Sequence, residues 1–219
     1  MMSKKHYIID PGHGGLIDGI YQTAPNYKED EPKTWKKMWI HDGVPFYEGV
    51  YNRLIADKLC AMLTLAEYDH TLLVPSNADV SLHDRVTRVN DMVRKNPDTN
   101  FVLISIHGNA AGGSVRTAKG DEVWTSKGET ESDRLAANFM AGYADVTGRK
   151  VRKDTRDGDV DKEANFYILK KTICPAFLTE NGFFDNPVEA AFMMTEGVDV
   201  FAKAHMAGIR KIEAHTYKY

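Results

Sequence analysis

Five short apolar segments alternate with longer amphipathic ones along the chain. The apolar segments span residues 6–10, 71–75, 100–106, 120–125 and 175–179, and residues that favour turns bound each of them. Short apolar runs with such boundaries are typical of β-strands. Residues 101–106, with the sequence FVLISI, are almost continuously apolar, which predicts a central strand that is buried on both faces.

Four longer segments place apolar residues at helical spacing. They span residues 50–65, 82–94, 131–146 and 198–213, and the pattern predicts amphipathic helices. Strands that alternate with helices favour a sheet covered by helices on both faces. A chain of 219 residues fits a single hydrophobic core. We therefore predict one α/β domain over residues 1–219, a three-layer sandwich with a mostly parallel mixed sheet flanked by helices.

Two stretches show neither the apolar runs of strands nor the helical spacing of apolar residues. Residues 16–47 contain three prolines, the charged run KEDEPK and the tryptophans Trp35 and Trp39. We interpret this stretch as a long loop insertion with a function, because tryptophans are rare in plain disorder and loops of this length inside a domain are usually functional. Residues 148–162 are rich in charge and are predicted to form a surface loop.

Composition excludes several classes of partner and site. The 28 basic and 31 acidic residues are spread along the chain, which argues against a nucleic-acid partner. Cys60 and Cys174 lie in apolar contexts without CxxC spacing, so we expect core thiols and no disulfide. Neither a signal-peptide pattern nor an apolar run of about 18 residues is visible, so we expect cytoplasmic synthesis without membrane insertion. A monomer is our default expectation.

Two histidines follow predicted strands in turn-forming contexts. His13 lies in DPGHGG at residues 10–15, and His107 lies in SIHGN at residues 105–109. A proline-glycine turn often presents a histidine without any metal. Ligand sites in α/β sheets, however, form at the carboxyl ends of the strands, and two strand-end histidines in one chain favour a shared metal site.

Two glutamates complete a plausible catalytic set. Glu48 precedes a predicted helix, where an acidic residue is also favoured by the helix dipole alone. With His13 and His107 it supplies the three ligands of a catalytic zinc ion, which leaves one position for water. If Glu48 points elsewhere, Asp10 or His41 is the next ligand candidate.

Glu180 follows the last apolar strand within TENG. It would face the same crevice as the metal, unless it is simply a solvated strand end. From there its carboxylate could take a proton from an attacking water molecule and pass it to a departing nitrogen.

Several motifs, taken in order, resemble one family. DPGHGG, EGVYN, SIHGNA and PAFLTENGFFDN resemble the zinc-dependent N-acetylmuramoyl-L-alanine amidases of the type-3 amidase family, which hydrolyse peptidoglycan. The segments LHDRVTRVN, GDEVW and ANFYILKKTICPAFL extend the resemblance over essentially the whole chain.

The resemblance implies a site and a substrate. One zinc ion would be bound by His13, Glu48 and His107, with Glu180 as the catalytic acid and base. The bond cleaved would be the amide between the lactyl group of N-acetylmuramic acid and L-alanine of the stem peptide, so peptidoglycan and muropeptides are the expected partners.

Further residues are expected around this site. We expect contacts with substrate from Trp35, Trp39, Asn109 and Asn181, and support of the metal ligands from Asp10 and Asn52. Residues 16–47 are longer than the family usually has, which suggests a lid or wall built around the two tryptophans.

No wall-binding module is visible in the sequence. Together with the missing signal peptide, this predicts a phage or prophage endolysin that reaches the wall after release through a holin-type lesion. Two alternatives stay open. The same site could serve a zinc carboxypeptidase or deacylase that acts on another amide, or the chain could be a wall-binding protein with a vestigial metal site.

Overall fold

The computed structural model describes residues 4–23, 37–112, 116–154 and 160–216. The strands are β1 (His6–Pro11), β2 (Leu16–Ile17), β3 (Ile20–Tyr21), β4 (Met38–His41), β5 (Val44–Tyr47), β6 (His70–Leu72), β7 (Phe101–Asn109), β8 (Asp121–Thr125), β9 (Lys162–Glu163) and β10 (Ala176–Phe183). The helices are α1 (Glu48–Leu65), α2 (Leu82–Lys95), α3 (Glu131–Thr147), α4 (Tyr167–Lys171), α5 (Pro187–Phe192) and α6 (Val198–Thr216), with a π-helical turn (Met193–Gly197) between the last two.

The main sheet has six strands in the order β6-β1-β7-β10-β8-β9. Strands β6, β1, β7 and β10 run parallel, whereas β8 is antiparallel to β10. Parallel neighbours bring their carboxyl ends to one edge of the sheet, which is where sites form in this class of fold. The predicted three-layer α/β sandwich with a mostly parallel mixed sheet is confirmed.

Two apolar layers hold the sandwich together. On one face of the sheet, α1, α3 and α6 pack over side chains such as Ile104 and Phe177. On the other face, α2 and α4 pack over side chains such as Leu103 and Leu178. Each fully buried side chain of this kind contributes about 1.5–3 kcal/mol to stability. Because neighbouring residues of a strand face opposite layers, the alternation along β7 and β10 fixes which side chains reach the site.

Side chains cap the starts of α2 and α3. Ser81 accepts a hydrogen bond from the Asp84 amide at the start of α2. Thr130 and Asp133 form a capping box at the start of α3, and Gly148 ends that helix in the left-handed region at φ 58°. Such caps satisfy backbone groups that have no partner inside the helix. The cap of α2 matters for the site because this helix carries Arg85.

All five predicted strands and all four predicted helices are present, with differences at their ends. The predicted strands at residues 100–106 and 175–179 continue to Asn109 and Phe183, so His107 and Glu180 lie inside strands and not after them. Register pairing between the two strands holds both residues in place. The five-residue helix α4, the short helix α5 and the edge strand β9 were not predicted.

The two stretches interpreted as loops carry regular structure in their described parts. Residues 16–47 contain two antiparallel hairpins, β2–β3 and β4–β5, which corrects the expectation of an irregular loop at both ends of this stretch. Residues 148–162 are also more than a surface loop, because Val151 forms a bridge to Asp121 and Lys162 begins β9.

Candidate metal centre

The turn after β1 presents His13 at the carboxyl edge of the sheet. His13 has a φ of 64°, in the left-handed region. At Gly12 a Cβ atom would lie 2.2 Å from the His107 ring, so only glycine allows the two strands' ends to approach this closely. Asn52 donates from Nδ2 to the Gly12 carbonyl at 3.2 Å. We expected Asn52 to support Glu48, but the structure places its hydrogen bond on the turn that carries His13.

A buried ion pair holds the same turn from the other side. Arg85 of α2 pairs with Asp10, and it also donates to the carbonyls of Pro11 at 2.7 Å and His13 at 2.9 Å. Ser105 donates to the second oxygen of Asp10 at 2.8 Å. Both Asp10 oxygens are therefore engaged away from the metal position. The contacts of Asp10 place it to support the turn through Arg85.

Glu48 is the first residue of α1 and is completely buried. Its Oε1 atom lies 3.3 Å from His13 Nε2 and 3.0 Å from His107 Nδ1, and it also accepts a hydrogen bond from the Gly108 amide at 3.3 Å. Its Oε2 atom has no hydrogen-bond partner in the described part of the chain. The Lys37 ammonium lies 3.5 Å from that oxygen.

These distances fit a tetrahedral metal ion. One donor atom from each of His13, Glu48 and His107 lies within 4.8 Å of the others. Ligands about 2.0–2.1 Å from a tetrahedral zinc ion lie about 3.3 Å apart, which is close to the two distances measured to Glu48 Oε1. His13 Nε2 is buried and, among the described residues, has no hydrogen-bond partner. A buried nitrogen of this kind that points at a carboxylate is what a metal site requires.

Charges around the three ligands suit a cation. Burial on its own would raise the pKa of Glu48, but His13, His107 and the Lys37 ammonium together hold this pKa well below its usual value. Burial lowers the pKa of His107, although the Glu48 carboxylate opposes this effect. An ionised carboxylate and a neutral imidazole are the protonation states in which these side chains bind metal.

Glu180 lies directly beside the metal position. It pairs in register with His107 across β7 and β10, so both side chains project from the same face of the sheet. Burial, Glu48 and Glu122 raise the pKa of Glu180 well above its usual value, against the opposing charges of Lys37 and Lys162. A carboxyl group in such surroundings can hold a proton near neutral pH and release it during a reaction.

Of the two asparagines expected to contact substrate, one is buried in the structure and the other is partly exposed. Asn181 is 0 % exposed. Its Nδ2 donates to the His107 carbonyl at 2.8 Å, and its Oδ1 accepts from Tyr143 at 2.8 Å. This corrects the expectation for Asn181, because strand alternation turns it away from Glu180 into the core. Asn109 is partly exposed and donates to Glu122 at 3.0 Å.

Of the two tryptophans in residues 16–47, Trp39 lies within the described part of the chain. Trp39 of β4 is half-buried, and the Arg116 guanidinium lies 3.8 Å above its ring. His41 of the same strand is 2.8 Å from the Phe184 carbonyl, to which its Nε2 donates, so it is not placed as a ligand. Trp35 lies outside the described residues.

Three residues near the site were not singled out from the sequence. Arg85 had a usable signal, since it occupies the spacing of the buried face of α2 together with Val86 and Val89. Lys37 had none, because its left-handed backbone at φ 69° and its contact with Glu48 depend on the hairpin. Glu122 is 3 % exposed, and its role depends on strand pairing at the sheet edge.

The fold and these residues define an α/β protein with a candidate zinc site at the carboxyl edge of its sheet. A family model described as N-acetylmuramoyl-L-alanine amidase matches residues 8–211. The chain belongs to the N-acetylmuramoyl-L-alanine amidase family.

Relatives and solved structures agree with this assignment. The chain is 31% identical to an uncharacterized cell wall amidase of Bacillus anthracis over 84% of its own length and 31% of the relative's. It is 28% identical to the N-acetylmuramoyl-L-alanine amidase CwlM of Bacillus licheniformis over 93% of its own length and 66% of that protein. The chain thus spans about a third of the first relative and just under two thirds of the second.

Among solved structures, an N-acetylmuramoyl-L-alanine amidase from Clostridium difficile 630 aligns with a TM-score of 0.69 at 26% identity, covering 99% of both chains. The amidase Ami1 from Mycobacterium smegmatis aligns with a TM-score of 0.74 at 19% identity, covering 98% of this chain and 99% of that one. The second likeness shows the fold alone.

Proposed function

We propose that this protein is a zinc-dependent amidase that hydrolyses the bond between the lactyl group of N-acetylmuramic acid and L-alanine of the peptidoglycan stem peptide. The observation that carries the proposal is the convergence of His13 and His107 on one oxygen of Glu48, with Glu180 in register beside them. Family membership supplies the substrate class, because the family is described by this activity.

The proposed roles follow from the positions of the side chains. His13, Glu48 and His107 would hold the zinc ion, which when bound supplies Lewis acidity for an attacking water and for the amide carbonyl. Glu180 takes the proton from the water that attacks the carbonyl carbon. It then delivers that proton to the amide nitrogen, which leaves as the free amine of L-alanine while the lactyl group becomes a carboxylic acid.

The surface around the site leaves room for a substrate. A cleft of about 410 Å³ opens beside the metal position, between the β1 turn and the start of α2. His13 and His107 line it together with Asp79, Ser81 and Leu82. A substrate that reaches the metal position can therefore extend over the protein on this side.

Product analysis tests the activity. Purified protein loaded with zinc is incubated with a defined muropeptide, and the products are identified by mass with and without a chelator. We expect a free peptide with L-alanine at its amino end and a muramic acid product that has gained a carboxyl group, both lost when the chelator is present. Cleavage within the stem peptide or release of a small acyl group would favour the carboxypeptidase or deacylase alternative. Tight binding to wall material without cleavage or zinc would favour the vestigial-site alternative.

The biological setting is a further part of the proposal. Relatives include a protein named endolysin in Bacillus phage SPP1, at 25% identity, and a sporulation-specific N-acetylmuramoyl-L-alanine amidase in Bacillus subtilis, at 28% identity. Among the described helices, none is long and apolar enough to cross a membrane. We propose peptidoglycan as the partner, and we keep the endolysin role as a prediction. If it is right, expression in a bacterial host will cause lysis only when a holin is expressed with it.

A further inference from the structure

Three acidic or metal-binding side chains form a row across the sheet. Glu180 of β10 pairs with His107 on one side and with Glu122 of β8 on the other. Residues directly opposite each other in a sheet project from the same face. Glu122 therefore lies one strand from Glu180 and two strands from the proposed metal ligand His107. Adjacent strands are about 4.8 Å apart.

Glu122 is a buried anchor for two cations. Its Oε1 atom accepts from Arg152 Nε and from Lys162 Nζ, each at 2.7 Å. Its Oε2 atom accepts from Asn109 and from the Trp124 indole, each at 3.0 Å. With four donors on two oxygens, this carboxylate is saturated and is not available to react with a substrate.

Arg152 and Lys162 are partly exposed to solvent although Glu122 binds both of them. The side chains of Arg152 and Lys162 are 34% and 20% exposed, whereas that of Glu122 is 3% exposed. Within the described part of the chain, the single carboxylate of Glu122 accepts hydrogen bonds from both cations. The guanidinium and the ammonium group can each donate to more than one acceptor, so a second carboxylate from solvent can bind beside Glu122.

Aromatic rings lie next to these cations. The Lys162 ammonium is 5.1 Å from the centre of the Trp124 ring, and the Phe166 ring is 5.3 Å from Trp124. Phe166 is 36% exposed. Cations beside an aromatic surface suit a short peptide that carries a carboxylate and some apolar surface.

The proposed reaction fixes which end of the substrate lies here. The amide nitrogen belongs to the peptide, and Glu180 must reach it to deliver a proton. Glu180 is displaced from the metal position toward β8, so the peptide leaves the site in the direction of Glu122. The cleft on the opposite side contains Asp79, and its one arginine, Arg85, is already paired with Asp10. That side suits an anionic peptide poorly.

We propose that Arg152 and Lys162, held by Glu122, bind the free α-carboxylate of the residue that follows L-alanine in the stem peptide. The pair thereby gives the enzyme a preference for acidic stem peptides over amidated ones. This inference rests on the proposed function.

The test uses two synthetic muramoyl tripeptides of L-alanine, γ-linked D-glutamate and L-lysine amide. They differ only in whether D-glutamate carries a free α-carboxylate or an α-carboxamide. kcat and KM are measured for the wild type, Lys162→Gln, Arg152→Gln and the double variant. Hydrogen bonds between charged groups contribute more to binding free energy than those between neutral groups. We therefore expect the wild type to favour the carboxylate substrate by about tenfold or more in kcat/KM. The variants should lose this preference through a higher KM for the carboxylate substrate. Because the charge of Lys162 also acts on Glu180, a change in kcat is expected to be the same for both substrates, so the ratio of the two kcat/KM values is the readout.

The carboxamide substrate is the internal control for structural damage. A double variant that keeps the wild-type preference, or a wild type that does not distinguish the two substrates, would overturn the inference while leaving the amidase activity in place. Arg152→Lys should restore part of the preference.

Binding of the two product tripeptides, measured by calorimetry, gives a second readout that needs no turnover. We expect tighter binding of the carboxylate product by the wild type only. If neither substrate is cleaved, the proposed function fails, and equal binding of both products would then overturn the inference as well.

Discussion

The two sides of the candidate metal site are built in different ways. His13, His107 and Glu180 come from the carboxyl ends of the parallel strands β1, β7 and β10 and are fixed by strand register and by Arg85. Lys37, which directly precedes β4, and Trp39 of the hairpin β4–β5 are held by a few side-chain contacts. We infer that the strand side supplies the reactive groups in rigid positions, whereas the hairpin side shapes access and tolerates change.

The two buried glutamates illustrate the same contrast in their electrostatics. Glu48 is surrounded by His13, His107 and Lys37, which hold its pKa well below the usual value despite its burial. Burial together with the neighbouring carboxylates Glu48 and Glu122 raises the pKa of Glu180 well above the usual value. The surroundings of each glutamate thus suit the role that we propose for it, metal binding for Glu48 and proton transfer for Glu180.

The largest expected effect is on the strand side, at Glu180. Glu180→Gln keeps the size of the side chain but cannot exchange a proton, so we expect turnover of a muropeptide to fall about 10³- to 10⁴-fold. Zinc content should stay at the wild-type level, because Glu180 is not one of the ligands. Glu163→Gln, on the edge strand β9, is the control and should keep normal turnover. A zinc-loaded Glu180→Gln protein with full activity would contradict the proposal that Glu180 transfers the proton.

The second largest effect is expected at the Arg85–Asp10 ion pair, which supports the turn that carries His13. Arg85→Met leaves the Asp10 carboxylate buried without its cation, and breaking a buried ion pair in this way costs about 3–5 kcal/mol. Denaturant unfolding measures this loss. Arg88→Met is a matched control on the same helix, because Arg88 is exposed and makes only a 3.2 Å bond to the Leu73 carbonyl. Equal effects of the two changes would show that the Asp10 pair does not hold the turn.

Acid sensitivity should arise at His205 of α6, which forms a hydrogen bond with strand β10. Burial lowers the pKa of His205 to about 4, against about 6.5 in an unfolded chain. As the pH falls, the unfolded chain binds this proton first. The stabilising contribution is therefore complete above pH 6.5 and is lost between about pH 6.5 and 4.

That contribution amounts to about 3 kcal/mol. Between pH 7.5 and 4, the free energy of unfolding of the wild type should fall by about 3 kcal/mol more than that of His205→Gln. Parallel curves would show that His205 titrates normally. The residue matters because it bonds to Thr179, which precedes Glu180 in β10.

The hairpin side should give the smallest effect. The Arg116 guanidinium above Trp39 is expected to contribute about 0.5–1 kcal/mol. A double-mutant cycle of Trp39→Ala and Arg116→Ala, followed by thermal unfolding, measures the coupling. Zinc affinity should stay unchanged in all three variants. A loss of zinc binding would mean that the hairpin, and not only the strands, holds the metal ligands in place.

Sequence alone predicted the strand side well for a physical reason. Apolar runs identify the central strands, and the topology of parallel sheets brings their carboxyl ends together, so His13 and His107 could be expected near each other. Glu180 followed from the same rule. Glu48 depended on completing a ligand set and on the family resemblance, because its position at the start of α1 has an ordinary explanation.

The errors have physical causes as well. Asn181 was expected to contact substrate, and the predicted strand ended before it, at residue 179. Since the strand continues to Phe183, alternation places Asn181 on the opposite face from Glu180. The cluster around Glu122 depends on the pairing of β8 with β10 and β9, and the position of the Lys37 side chain depends on the left-handed backbone of Lys37 just before β4. Neither feature has a local sequence pattern.

One titration tests the central claim, that His13, Glu48 and His107 form a single zinc site that drives amide hydrolysis. Protein stripped with a chelator is titrated with zinc, and the release of peptides with free L-alanine amino ends is followed at each step. We expect no activity in the stripped protein and full recovery at one zinc ion per chain. Full activity without zinc, or bound zinc without any release of these peptides, would contradict the claim.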